Sequence, residues 1–278
     1  MPMSEIKVDH EDLSALPEQR RQKILLTLQM EGQVLAADLS QRFNVSEDTV
    51  RRDLRELARA GMVKRVYGGA VPLALDTGKP YVQRANSQEH IKQELAQAAL
   101  ALIRPRQILF LDASTTNRQI ARALPNDVPL TVVTNCPPIA VDLSDHPLVT
   151  IIMPGGKLNK AMQALTGPEC VEKLSQVNAD LCFLGVCAIH PHYGICSEND
   201  EEVFVKRAML EHAAEVAIIA TEDKVGAVEG FKIAPIDKIT HMITPDTVPK
   251  DLLTPYVEKA IRVIPVGETS AKTMRRTS

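Results

Sequence analysis

The 278-residue chain has no tryptophan, and with four tyrosines and five phenylalanines its aromatic content is 3%. Whatever cores it builds must therefore be aliphatic. No apolar run approaches the roughly 18 to 20 residues a bilayer span needs, so a membrane-spanning role is excluded from expectation. The N-terminus has no cationic stretch followed by an apolar one, so no secretory signal is expected and the protein is expected to be cytoplasmic. The five cysteines (Cys136, Cys170, Cys182, Cys187, Cys196) are odd in number and contain no C-x-x-C. They read as reduced thiols, not as a disulfide framework. No cofactor is expected. What remains is an ordinary globular composition, 45% apolar and 24% charged, long enough for two domains.

The net charge of −3 argues against a general polyanion binder, but the charge is unevenly placed. Residues 17–70 carry ten Lys and Arg against seven Asp and Glu, leaving −6 on the remainder. A modestly basic head on an acidic body suits a DNA reader joined to a separate non-DNA domain.

Within the head, Asn44-Val45-Ser46-Glu47-Asp48-Thr49-Val50-Arg51-Arg52-Asp53-Leu54-Arg55-Glu56-Leu57 organises the rest. Ser46 is a good N-cap, and the acids after it complement the helix dipole. Wound at 3.6 residues per turn, Val50, Leu54 and Leu57 share one face. Arg52, Arg55 and Arg59 share the opposite face, with Arg51 at its flank. Guanidinium forks suit phosphates and guanine edges, although a lone basic helix is as readily a solvated face. The neighbours favour DNA. A second short helix over about Val34–Phe43 precedes it across a three-residue turn, giving a helix-turn-helix over about 34–59. Met62 to Ala70 reads as a basic wing, with Lys64 and Arg65 placed for backbone contacts. Thr49 is expected near a phosphate or a base edge. Pro17 opens a first helix with Ile24, Leu25 and Leu28 turned inward, and Gly32 ends it.

In register, Val45-Ser46, Thr49, Arg51-Arg52-Asp53-Leu54, Arg65 and Gly68-Gly69-Ala70 resemble the signature of the DeoR family of bacterial transcription regulators. The domain plan is a flexible tail over 1–16, a winged helix-turn-helix over 17–70, a linker over 71–86 and an effector-sensing domain over 87–278.

From Ser87 short apolar strands alternate with helices: a helix to Ile103, then strands at Ile108–Leu111, Leu130–Val133, Val149–Met153, Leu181–Gly185, Val216–Ala220, Met242–Thr244 and Arg262–Val266. This pattern predicts an α/β domain with a mostly parallel, Rossmann-like sheet. Ligands in such sheets sit beyond the carboxyl ends of strands. There the sequence offers Asp112, Ser114, Thr115 and Thr116 at a helix start, a candidate phosphate site or simply a cap. It also offers Asn135, Gly155-Gly156-Lys157, and Lys224. Glu202 and Lys206, at i and i+4, join them or form only a surface ion pair.

This order, with Leu111-Asp112, Ser114-Thr115-Thr116, Val133-Thr134-Asn135, Gly155-Gly156-Lys157-Leu158, Gly167, Asp180, Phe183-Leu184-Gly185, Glu202, Lys206-Arg207 and Lys224, also resembles the DeoR-family sensor domain. The resemblance implies a sugar-phosphate-isomerase-like fold that binds a phosphorylated sugar or related metabolite. It also implies that Ser114–Thr116 hold the phosphate and that Asp112, Asn135, Glu202, Lys206 and Lys224 address the sugar. Ser114 and Thr221 stand where many members have Gly and Asp. The function implied is a DNA-binding regulator, in most members a repressor of carbohydrate genes, acting as a homo-oligomer (dimer or tetramer) on an operator. The alternatives are a sugar-phosphate isomerase with an attached DNA-binding head, and a metal or thiol sensor built on Cys187, His190, His192 and Cys196.

Overall fold

A computed structural model describes residues 16–267 except Leu75 and Thr77, with only the backbone of Gln29 and Met30. The expected tail lies outside these residues but for Leu16. The chain divides into two units, Met1–Leu73 and Ala74–Ser278.

The first unit runs α1 (Pro17–Glu31), β1 (Val34–Leu35), α2 (Ala36–Phe43), α3 (Glu47–Arg59), β2 (Val63–Val66) and β3 (Gly69–Pro72). Gly32 ends α1 in the left-handed region, its N–H donating to the Leu28 carbonyl. Asn44 (φ 51°) turns the chain between α2 and α3. Ile24, Leu28, Leu39, Phe43, Val50, Leu54 and Leu57 meet in one aliphatic core. The expected start of α2 is corrected: Val34 and Leu35 are extended, and pair antiparallel with Ala70 and Gly69. That contact needs a glycine, because a Cβ on Gly69 would lie 1.9 Å from the Val34 carbonyl oxygen.

The second unit contains α4 (Tyr81–Asn86), α5 (Glu89–Ala99), β4 (Ile108–Leu111), α6 (Thr115–Ala123), β5 (Leu130–Thr134), α7 (Pro137–Asp142), β6 (Val149–Ile152), β7 (Lys157–Asn159) and β8 (Ala164–Thr166). It continues through α8 (Pro168–Ser175), β9 (Ala179–Leu184), β10 (Ala188–His190), β11 (Gly194–Ser197), α9 (Asp200–Glu211), β12 (Ala213–Ile219), β13 (Phe231–Ala234), β14 (His241–Pro245), α10 (Lys250–Val257) and β15 (Arg262–Val266). The seven-stranded sheet has the order β15–β14–β12–β9–β4–β5–β6, and every pair in it is parallel. Alternate residues serve opposite layers. Leu109, Leu111, Leu181 and Phe183 pack in the layer that holds Leu95, Ile120 and Ile139. Phe110, Cys182 and Leu184 pack with Leu174, Met209 and Tyr256. Continuous apolar strands buried on both faces are what a parallel sheet under two helical layers requires.

Three expectations are revised. The segment read as a linker holds β3 at its start, and from Tyr81 it is a helix, with Tyr81 buried in the second unit. The helix expected from Ser87 to Ile103 is α5 followed by a 3-10 turn, Leu100–Leu102. The expected alternation of strands and helices is interrupted by a small antiparallel sheet, β10–β11–β13, and by the hairpin β7–β8.

From β4 the chain winds outward to β5 and β6. It then returns to β9 on the other flank of β4 and proceeds to β12, β14 and β15. The carboxyl ends of β4 and β9 therefore flank the switch point of the sheet, where a crevice opens by construction.

Candidate functional site

At that switch point, Asp112 at the end of β4 is 1% exposed and each of its oxygens is engaged. Its Oδ1 accepts from Asn117 Nδ2 (2.7 Å) and from the Gly185 N–H (2.9 Å). Its Oδ2 pairs with Lys206 Nζ, which also donates to the Gly185 carbonyl at 2.8 Å. Burial works against the Lys206 charge, but the Asp112 and Glu202 carboxylates override it and hold the ammonium above the usual lysine range. Glu202, one turn earlier on α9, is buried and accepts from Ser197 Oγ at 3.3 Å. Its burial pushes its carboxyl up, with Lys206 opposing. The pair read as possibly a surface ion pair is thus interior.

Gly185 admits no side chain here, since a Cβ would lie 2.3 Å from Ser114 Cβ and 2.8 Å from Asp112 Oδ1. Ser114 caps α6, its Oγ accepting from the N–H groups of Thr116 (3.2 Å) and Asn117 (3.5 Å). The hydroxyl expected at a phosphate therefore spends its acceptor capacity on the helix start. Thr115 and Thr116 are buried beside it. Asn135 donates to the Leu165 carbonyl at 3.0 Å and keeps a buried Oδ1 without a hydrogen-bond partner among the described residues.

Lys224 lines a small cavity of about 10 Å³ with Asp76, Arg84, Cys187 and Glu198. Val186 and Cys187, which line this cavity, directly follow Gly185 of the crevice, so the two adjoin. Lys157 lines an open groove with Thr166 and Phe204, its Nζ 3.7 Å from Glu201, and Gly156 sits against the Thr166 carbonyl and Cys170. Sequence reasoning missed Asp76, Lys92 and Glu198. Lys92 had a signal, because it shares its helical face with Leu95, Ala96 and Ala99, an apolar stripe on which a lysine is out of place.

The metal alternative is not assembled. His190 Nδ1 accepts from the backbone N–H groups of His192 (3.1 Å) and Tyr193 (3.4 Å). No group of three or more metal-ligating side chains occurs among the described residues. All five cysteines are free thiols.

In the first unit, Ser46 Oγ caps α3 by accepting from the Thr49 N–H (3.2 Å) and meets Thr49 Oγ1 at 2.9 Å. Arg51, Arg52 and Arg55 are exposed along α3. Arg51 pairs with Glu47 (2.7 Å), and Arg55 lies 3.9 Å from Asp48. Asp53 turns inward to Arg20 of α1 at 2.5 Å, so this acid of the motif locks the fold. Lys64 and Arg65 are successive residues of β2 and point to opposite faces of the wing. Tyr67, at its tip, is 98% exposed.

Residues 20–74 match the family model described as the DeoR-like helix-turn-helix domain, and 87–246 match the DeoR C terminal sensor domain. The chain belongs to the DeoR family. It is 32% identical over 238 residues to the HTH-type transcriptional regulator GlpR of Haloferax volcanii, covering 85% of this chain and 92% of that one. It is 31% identical to a putative aga operon transcriptional repressor of Escherichia coli O157:H7 (90% and 94% covered). To the HTH-type transcriptional repressor GlcR of Bacillus subtilis it is 33% identical (82% and 88%). A ribose 5-phosphate isomerase from Methanocaldococcus jannaschii aligns over 50% of this chain and 55% of its own, at 13% identity and a TM-score of 0.37, too distant to bear on activity. This DeoR-family chain is a DNA-binding transcriptional regulator and not an enzyme, as its full-length relatives are regulators. None of its described helices is long and apolar enough to cross a membrane.

Proposed function

We propose that this regulator represses carbohydrate-metabolism genes and is controlled by a phosphorylated sugar or related metabolite bound at the switch-point crevice. The observation that carries the reading is the buried Asp112–Lys206 pair with Glu202 beside it, placed where β4 and β9 diverge. Burying three ionisable side chains costs free energy that an apolar core would not, and a polar ligand gives that cost a purpose. Asn135 Oδ1, buried and without a partner among the described residues, is an acceptor suited to a sugar hydroxyl.

On the DNA side, Ser46, Thr49, Arg51, Arg52 and Arg55 lie on the recognition helix, with Lys64 and Arg65 on the wing. Arg52 is the main base or phosphate contact in this reading, because Arg51 and Arg55 each have an acid on their own helix to compete for them. We assign the working form as a homo-oligomer, since paired heads match repeated half-sites. Relatives named a glycerol-3-phosphate regulon repressor and an aga operon repressor support a sugar-linked regulon.

The test is titration of the full-length protein against DNA from upstream of its own gene and neighbouring sugar-catabolic genes. It is run at two salt concentrations, with and without a panel of sugar phosphates. Site-specific, salt-sensitive binding released by one sugar phosphate is expected. Specific binding that no phosphorylated metabolite moves would remove the effector assignment.

A further inference from the structure

The start of the second unit carries an acid among buried cations. Asp76 follows Leu73, the last residue of the first unit, by three positions. It is 8% exposed, and its Oδ2 lies 3.5 Å from the ammonium of Lys92, itself 1% exposed. Ser87 hydrogen-bonds the same carboxylate, and Lys224 is within electrostatic reach of both Asp76 and Lys92. Two residues on, the Gly78 N–H donates to Glu198 Oε2 at 2.5 Å and pins the segment down.

We propose that Arg84, Lys92 and Lys224 form the subsite for the effector's anionic group, a phosphate monoester, and that the chain's own Asp76 occupies it until the effector expels it. This rests on the reading of the crevice as an effector site.

Three observations support the assignment. Three cations, Arg84, Lys92 and Lys224, gather about two carboxylates, Asp76 and Glu198, and burial draws Lys92 down to about 8, with Asp76 opposing that only in part. A phosphate monoester carries nearly two charges and three strong acceptors, so it is the better counter-ion. A donor also waits unused, because Arg84 Nε is buried without a hydrogen-bond partner among the described residues. Finally, the cavity that Asp76, Arg84 and Lys224 line with Glu198 has room for about one water, so a phosphate enters only by displacing Asp76. Expulsion of Asp76 also tethers ligand binding to the chain that leads to the DNA-binding unit. A carboxylate that fills its own site nine-tenths of the time lowers apparent ligand affinity about tenfold.

The experiment measures calorimetric binding of inorganic phosphate to full-length wild type and to Asp76→Asn, at constant ionic strength. Amide hydrogen exchange over 74–80 is followed in wild type with and without phosphate. Asp76→Asn is expected to bind phosphate about tenfold more tightly, and adding Lys224→Met is expected to cancel the gain. In wild type, phosphate is expected to speed exchange over 74–80 as Gly78 leaves Glu198. If Asp76→Asn fails to fold, the wild-type exchange decides alone. Equal affinity in both proteins, or exchange over 74–80 unchanged or slowed by phosphate, overturns the proposal while sugar-phosphate binding stands. If neither phosphate nor any sugar phosphate binds either protein, the effector reading falls, and this inference with it.

Discussion

Lys206 Nζ donates both to the Asp112 carboxylate and to the Gly185 carbonyl, so one buried cation on α9 ties the end of β4 to the end of β9. The two strands on either side of the topological switch are thereby held by a charge that a ligand can address.

Lys206→Met leaves Asp112 buried without its cation. Breaking one partner of such a pair costs about 3–5 kcal/mol. Urea unfolding of the second unit is expected to show that loss. Adding Asp112→Asn is expected to restore part of it, because the stranded charge is then gone.

Two neighbours on α3 separate recognition from stability. Arg52 is exposed, so Arg52→Ala should change stability by less than about 0.5 kcal/mol while weakening operator binding by about 1–3 kcal/mol. Asp53→Asn instead breaks the buried pair with Arg20 and should destabilise the first unit by about 3 kcal/mol. Thermal melting and fluorescence anisotropy on labelled operator DNA check both.

Gly185→Ala should be tolerated far less than an ordinary glycine replacement. The new methyl meets Ser114 Cβ and Asp112 Oδ1 inside van der Waals distance, and overpacking of this kind costs about 1–3 kcal/mol. Loss of effector response with operator binding retained is the expected phenotype, read by the same anisotropy assay.

Burial pushes the His190 imidazole down to about 4, with His192 adding to the effect. The unfolded chain takes up this proton near 6.5 and the folded chain does not, so stability falls as pH drops from about 6.5 toward 4. For His190, 2% exposed, the loss reaches about 2 kcal/mol by pH 5. Glu202, whose carboxyl is raised by burial, changes stability in the opposite direction over the acid range. The comparison is therefore His190→Gln against wild type in thermal melts from pH 7 to 4.5, where the variant should lose stability less steeply.

The parts of the fold legible in the sequence are those where one local force dominates. Ile108–Leu111 is an apolar run flanked by polar residues, and the strand has those bounds. Ser46 followed by two acids marks a helix start, and α3 begins there. The small sheet of β10, β11 and β13 is illegible because β10 and β11 are only three and four residues long and their partner β13 lies beyond α9 and β12. Its His and Cys residues also resemble a ligand cluster more than a strand. At the candidate site, topology points to residues that follow a sheet strand, and Asp112 lies there, while Glu202 and Lys206 reach the same crevice from α9. Lys157 follows a strand by the same rule yet lines another groove, because β7 and β8 carry it away. Asp76 and Lys92 lie before the first strand of the sheet, where no strand-end rule points.

In the proposed division of labour, α3 reads DNA and the crevice senses a metabolite. The most direct test measures operator affinity and sugar-phosphate affinity on one full-length preparation each of wild type, Arg52→Ala and Glu202→Gln. Arg52→Ala should lose operator binding and keep sugar-phosphate binding unchanged, and Glu202→Gln should do the reverse. If both variants lose both activities to the same degree, that division is contradicted.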